Sequence, residues 1–244
     1  MLVYGINPVA EALKAGRVTR VQVSARADRR MDEILALAAQ QRVAVERVDP
    51  AMLDRASKGG VHQGVVAEVE AAREYSIADL VAPRASHAAP LIVVLDGIED
   101  PHNVGAILRT CDAAGVTGVV RQARHSAALD GVVGKASAGA LAHIRIATVV
   151  NIARAVEELK DAHVWTVGLS GEAAELHTDV EWTLPSAVVL GAEGTGLRRL
   201  VRERCDRVVR IPMLGRVDSL NVSVAAGVVL YEVVRQRQAA GLSS

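Results

Sequence analysis

Phenylalanine is absent from this chain, and tryptophan and tyrosine together make up only 2% of its 244 residues. With so few rings, the usual platform on which single-stranded RNA bases stack is nearly missing, and only Tyr4, Tyr75, Tyr231, Trp165 and Trp182 could serve. A surplus of either charge is also absent, since 28 lysines and arginines balance 28 aspartates and glutamates. No global field therefore draws the protein to nucleic acid. Cysteine occurs at Cys111 and Cys205 alone, without a CxxC pair or a histidine spacing suited to zinc. That argues against a disulfide framework and a zinc site, and fits buried thiols in a reducing cytoplasm. No uncharged stretch reaches the length of a membrane span, and the start of the chain lacks a charged region followed by an apolar one. The expectation is a soluble cytoplasmic protein with neither a membrane nor a metal partner.

What is present is aliphatic. Half of the residues are apolar, so Val, Leu, Ile and Ala must fill the cores of one large domain or two modest ones. Asn7-Pro8 and Asp49-Pro50 each pair a helix cap with the residue best suited to the first helical position. Periodicity adds helices at 8–14, 31–41 and 50–56 and strands at 18–24, 43–48 and 62–70. Residues 1–72 thus read as a small α/β domain. Residues 73–90, rich in Ala, Pro, Ser and His, read as a linker with room for a short helix at 77–81.

From Leu91 onward the strands become continuous apolar runs, at 91–95, 116–120, 143–147, 164–169, 187–190 and 207–212. Such runs suit a parallel sheet buried on both faces. Helices at 104–114, 127–135, 152–161, 196–203 and 219–236 alternate with them. Residues 91–244 are therefore expected to form a parallel α/β domain with ligands at the carboxyl ends of its strands.

Three loops leave those strand ends. The first, from Asp96 to Arg109, contains Asn103, a good N-cap, and places Arg109 nearly two turns into an apolar helix. An arginine there either snorkels to water or serves a ligand. His102 shares that ambiguity and receives no catalytic role. The second loop, Gly191-Ala-Glu-Gly-Thr-Gly, has neither the spacing of a dinucleotide fingerprint nor a P-loop lysine. It reads as a turn that brings backbone close to a ligand, with Glu193 either a helix-end carboxylate or a site residue. The third runs from Val208 into the last helix. Pro212 ends its strand, Ile211, Met213 and Leu214 offer an apolar wall, and Ser219, Asn221 and Ser223 stand as caps or as site residues. The helix body, Val222 to Tyr231, is apolar nearly all round and belongs inside the protein or an oligomer. Arg198, Arg199, Arg202, Arg204, Arg207, Arg210 and Arg216 crowd the same region, as a solvated face paired with Glu203 and Asp206 or as an anion site.

The runs D-P-H-N-V-G-A-I-L-R-T, V-L-G-A-E-G-T-G-L and I-P-M-L-G-R-V-D-S-L-N-V-S-V-A-A-G closely resemble the three motifs of the SpoU (TrmH) family of RNA ribose 2′-O-methyltransferases. This resemblance covers about residues 91–234. V-Y-G-I-N-P-V-A-E-A-L and H-Q-G-V-V-A-E-V are similar to the L30e-like substrate-binding domain of one branch of the family, and K-A-S-A-G-A at 135–140 resembles it too. That branch methylates a guanosine ribose in large-subunit (23S) ribosomal RNA.

The resemblance implies S-adenosylmethionine as cofactor, a deep trefoil knot of the SPOUT type, and a homodimer formed through that C-terminal knot. Position by position, it puts Gly191, Ile211 and Leu220 at the cofactor and Asn103, Arg109, Glu193, Ser219 and Asn221 at the catalytic positions. Asp218 stands where many members have Glu. The implied chemistry is in-line attack of a ribose 2′-hydroxyl on a sulfonium methyl, accelerated largely by positioning. Family accounts make the arginine at the Arg109 position the base, yet neutralising a guanidinium at pH 7 costs roughly 7.5 kcal/mol. The expectation here is a charged Arg109 that orients a phosphate and steadies the developing alkoxide, while a phosphate oxygen or water takes the proton. RNA should be recognised by shape and local arginines, with Lys58, Gly59 and Gly60 of the first domain as candidate contacts. Two competing readings remain, a member acting on transfer RNA or another ribosomal site, and a non-catalytic RNA-binding or ribosome-assembly factor. The intact set of five catalytic positions speaks against the second.

Overall fold

The structure, a computed structural model, describes residues 2–14, 16–25, 31–69, 75–83, 89–127, 129 and 131–242. The chain divides into two compact units, Met1–Arg73 with Ala128–His143, and Glu74–Ala127 with Ile144–Ser244.

The first unit starts with β1 (Leu2–Tyr4), α1 (Ile6–Lys14), β2 (Val18–Ser24), α2 (Met31–Gln40), β3 (Ala44–Val48), α3 (Pro50–Ala56) and β4 (Val65–Val69). Its sheet runs β1-β4-β2-β3, with β4 antiparallel to both neighbours and β2 parallel to β3. Val21 and Val23 of β2 point into a core shared with Val9, Leu13 and Ile34, whereas Thr19 and Arg20 face water. Asp49 caps α3 by accepting from the backbone N–H of Ala51, as the Asp-Pro signature requires. Strand β1 was not expected; three residues are too few for a period to register.

The second unit opens with α4 (Ile77–Val81), β5 (Leu91–Asp96), α5 (Pro101–Ala113) and β6 (Gly118–Gln122). The chain then gives α6 (Gly131–Ala136) and a 3-10 turn (Ala140–Ala142) to the first unit. Gly139, between them, has φ +95, and a Cβ there would lie 2.3 Å from Cγ of Glu11 on α1. Only glycine allows that approach. Part of the helix expected at 127–135 falls on residues 128 and 130, outside the described residues, and α6 belongs to the first unit.

The chain returns through β7 (Ile146–Val149), α7 (Ile152–Asp161), β8 (Trp165–Leu169), β9 (Glu175–Leu176), β10 (Ser186–Gly191), α8 (Arg199–Arg204), β11 (Arg207–Arg210) and α9 (Val222–Ala239). All pairings in the resulting seven-stranded sheet are parallel, in the order β7-β6-β5-β10-β8-β11-β9. Every residue of β5 is buried, as its unbroken apolar run implies. The order reverses where the chain crosses from β7 to β8, and a crevice outside the carboxyl ends is expected at such a switch.

Helix α4 lies within the stretch expected as a linker. Its Ile77 and Leu80 are buried in the core of the second unit, and Ser76 and Asp79 form a reciprocal capping box. Residues 70–74 and 84–88, where the rest of that linker and one strand end were expected, lie outside the described residues.

Helix α9 buries Val222, Ala225, Ala226, Val229, Leu230 and Val233 and leaves Val224, Val228 and Tyr231 exposed along one stripe. Its far end is held by Arg237, which is buried and donates to the carbonyls of Ala89, Pro90, Trp182 and Leu184. Trp182, fully buried, donates its indole N–H to the carbonyl of His177 and its backbone N–H to Gln236. No described helix is long and apolar enough to cross a membrane.

Candidate active site

Asp96, Gly191 and Arg210 end β5, β10 and β11, so the three loops singled out in the sequence all leave carboxyl ends of one parallel sheet. Hydrogen bonds then join them. Asp100, not Asn103, caps α5 by accepting from the backbone N–H of His102. Pro101 explains the shift, because proline at the first helical position puts the cap immediately before it. Asn103 is thereby moved into the first turn, where its side chain is buried.

Asn221 is the cap of α9, and the helix begins at Val222 rather than Ser219. Its Oδ1 accepts from the backbone N–H of Ser223 at 2.9 Å and from the Ser223 hydroxyl at 2.6 Å. Its Nδ2 donates to Oδ1 of Asn103 at 2.9 Å and to Oε1 of Glu193 at 2.6 Å. One amide thus caps a helix with its oxygen and ties two other loops together with its nitrogen. The group that caps the helix is thus also the one that joins the other two loops.

Glu193 is not at a helix end. Gly194 and Gly196 are left-handed (φ +77 and +66), which folds the loop back so that Ala192 and Gly196 exchange backbone hydrogen bonds of 3.2 and 2.8 Å. Helix α8 therefore starts only at Arg199, and Glu193 meets Asn221 instead. Gly191 lies directly beneath this hairpin. A Cβ there would stand 2.2 Å from the carbonyl carbon of Gly196 and 2.3 Å from the nitrogen of Leu197, a clash with backbone that only glycine avoids.

A cavity of about 510 Å³ opens between the second and third loops and the end of β8. Gly191, Ile211 and Leu220, the expected cofactor positions, line it together with Glu193, Ser219 and Asn221. Its size is that of a small-molecule site. Apolar Ile211, Met213 and Leu220 suit a purine face, backbone groups along the glycine-rich turn suit its ring edge, and the carboxylates of Glu172 and Asp218 suit an ammonium group. The residues present therefore fit S-adenosylmethionine. Asn103 lines a second cavity of about 450 Å³ that shares Ala192, Glu193, Thr195 and Gly196 with the first. Arg109 lines neither; it is exposed on α5 and has no hydrogen bond or ion pair among the described residues. Ser219 is exposed at the cavity wall and caps nothing.

One pair at the site escaped the sequence reading. Asp96, 1% exposed, accepts from the backbone N–H of Arg198 at 2.8 Å and from its Nε at 2.6 Å, and Nη2 of Arg198 goes on to Gln122 Oε1 at 2.7 Å. This latch ties the exit of the glycine-rich hairpin to the ends of β5 and β6. In the sequence Arg198 is hidden among its neighbours as one of a charge run.

The run itself is mostly neutralised. Arg199 pairs with Glu203, Arg202 with Glu172, Arg204 with Glu157 and Arg207 with Glu175. Only Arg210 and Arg216 of the seven lack a partner among the described residues. Asp206 serves Lys160 and Thr166 rather than an arginine. Burial pushes its carboxyl up, but the bonds from Thr166 and Lys160 outweigh that and hold it below the usual range. Burial raises both thiols, Cys205 to about 12, with Asp206 adding to the effect there. None of the five aromatic side chains lines either cavity. Among the described residues no cluster of three or more His, Cys, Asp or Glu side chains could hold a metal.

The SpoU rRNA Methylase family matches residues 90–231, and the family described as RNA 2′-O ribose methyltransferase substrate binding matches residues 2–75. A 23S rRNA (guanosine-2′-O-)-methyltransferase RlmB from Yersinia pestis is 43% identical over 97% of this chain and 97% of its own length. The RlmB of Pseudomonas putida is 45% identical over 97% of this chain and 96% of its own. Among solved structures, the SpoU methyltransferase AviRb from Streptomyces viridochromogenes in complex with AdoMet superposes with a TM-score of 0.81. It is 27% identical and the match covers 98% of this chain and 90% of that one.

Proposed function

Because the chain belongs to the SpoU rRNA Methylase family, we infer that it methylates the ribose 2′-hydroxyl of a guanosine in 23S ribosomal RNA, using S-adenosylmethionine. The observation that carries this reading is the bridge from Asn221 to Asn103 and Glu193, which joins all three loops at the wall of a cavity sized for the cofactor.

When bound, S-adenosylmethionine supplies a methyl group activated by its sulfonium. Gly191, Ile211 and Leu220 are proposed to hold it, chiefly by backbone contacts and apolar surface. Asn103, Glu193, Ser219 and Asn221 are proposed to fix the ribose, with the bridge already formed before RNA arrives. Preorganisation of this kind removes much of the entropic barrier of a bimolecular step. Arg109, which lines neither cavity and has no carboxylate partner among the described residues, is proposed to reach in from α5 as a charged fork for an RNA phosphate and for negative charge growing on the 2′-oxygen. The hydroxyl proton then leaves to a phosphate oxygen or water.

The first unit, with its outward Lys58–Gly60 turn, is proposed to choose the RNA site. The exposed stripe of Val224, Val228 and Tyr231 supports a proposed homodimer built on α9. A cytoplasmic location is proposed, which a ribosomal RNA substrate supports.

The direct test is transfer of labelled methyl from S-adenosylmethionine to unmodified large-subunit ribosomal RNA and, in parallel, to bulk transfer RNA, followed by nuclease mapping. A single labelled guanosine in the ribosomal RNA is expected. Label confined to transfer RNA overturns the substrate, and no label despite cofactor binding overturns the activity.

A further inference from the structure

We propose that the second cavity is the pocket for the acceptor guanosine and that Glu99, on its rim, reads the guanine base; the proposal rests on the methyltransferase reading above. The two cavities stand on either side of the glycine-rich hairpin, sharing Ala192, Glu193, Thr195 and Gly196 as a common wall. Asn221 lines the first and Asn103 the second, and the two amides are bonded to each other. A ribose held at Asn103 and Glu193 therefore lies next to the cofactor cavity, with which its own cavity shares lining residues.

Asn103 itself points to a ligand. It is 6% exposed, its Oδ1 is occupied by Asn221, and its Nδ2 has no partner among the described residues. That amide N–H stays open to solvent at the cavity wall, free to donate to a ribose hydroxyl oxygen.

The charges on the walls decide what else can enter. Four carboxylates, Asp96, Glu99, Asp100 and Glu193, disfavour a phosphate there. Three of them are engaged: Asp96 by Arg198, Asp100 by the first turn of α5, Glu193 by Asn221. Glu99 remains. Its one close polar side-chain neighbour among the described residues is His125, whose Nδ1 stands 3.6 Å away, too far for a hydrogen bond. A free carboxylate offers two adjacent acceptors, and guanine is the base whose pairing edge offers two adjacent donors, N1–H and the 2-amino group. Adenine and cytosine set a donor beside an acceptor, and uracil has one donor flanked by carbonyls. Bases presented to an enzyme out of the stack are read on that edge.

The test uses RNA fragments carrying guanosine, inosine or adenosine at the position mapped by the labelling experiment. The full-length chain, Glu99→Ala and Glu99→Gln are compared for kcat/KM, and cofactor affinity is measured by calorimetry. A bidentate base contact is expected to give the parent protein a roughly ten- to hundred-fold preference for guanosine over adenosine, with inosine, which lacks one donor, between them. Glu99→Ala should reduce the guanosine-to-inosine ratio to about one and Glu99→Gln should move the ratio towards adenosine, both with cofactor affinity unchanged. Glu99 variants that retain the parent's base ratios overturn the proposal and leave the methyltransferase reading standing. Failure of the parent protein to methylate any fragment removes that reading, and this proposal with it.

Discussion

Asn221 holds a helix end and a site together through one amide group, and the two duties can be separated. Serine is about as good an N-cap as asparagine but is too short to reach Asn103 and Glu193. Asn221→Ser is therefore expected to keep the melting temperature within a few degrees of the parent while kcat/KM falls about a hundred-fold or more, read by thermal melts and methyl transfer. A comparable loss of stability would mean that the bridge is mainly structural. Gly191→Ala tests the hairpin from beneath. Overpacking against backbone costs about 1–3 kcal/mol, so cofactor affinity measured by calorimetry should fall at least ten-fold in a protein that still folds. Residue types left Asn221 as a cap or a site residue, and the resemblance to the family's motifs put it and Gly191 at the expected site. What they could not supply was partnership: Pro101 marks Asp100 as the cap, but nothing local to Asn103 says that its side chain meets Asn221.

Helices and strands were legible where burial imposes a period over several turns. Residues 152–161 and 18–24 form the helix and strand their patterns imply. The two-residue strand β9 and the three-residue β1 were not legible, because both are held by pairing with strands distant in sequence. Helix α4 was legible only as a short possibility, its apolar residues gaining meaning from a core far along the chain. At this scale Arg237 carries a sharp expectation. Burial lowers its pKa, yet it remains the donor to carbonyls on both sides of α9's last turn. Arg237→Met should destabilise the protein by roughly 3 kcal/mol in urea titrations, since several buried carbonyls lose charged donors at once. The strands and helices that bury the thiols also fix a pH dependence. Cys111 and Cys205 have folded pKa values raised above the ordinary thiol value, so above about pH 8.5 the unfolded chain gives up protons that the folded one keeps. Stability should fall with pH there, by at most about 1.4 kcal/mol per pH unit for each thiol. Urea midpoints at pH 7.5 and 9.5 will show the drop, and Cys205→Ala should shrink it.

For the molecule as a whole, the stripe Val224, Val228 and Tyr231 is the clearest sign of a second copy. Tyr231→Glu should turn a dimer into a monomer in sedimentation experiments, and a parent protein that sediments as a monomer would sink the homodimer proposal. The change of pattern at Leu91 suggested a second domain from there, whereas the contacts divide the chain between Arg73 and Glu74 and return residues 128–143 to the first unit, because a segment's owner is set by contacts and not by composition. That return bears on how the protein is made. The first unit's strands are complete once residue 69 has been synthesised, yet α6 and Gly139, which cover α1, emerge some seventy residues later. At about 5–20 residues per second the ribosome leaves that gap open for roughly 4–15 s. During translation the leading unit is therefore an unfinished surface, waiting for the segment that covers α1 to arrive from the middle of the message.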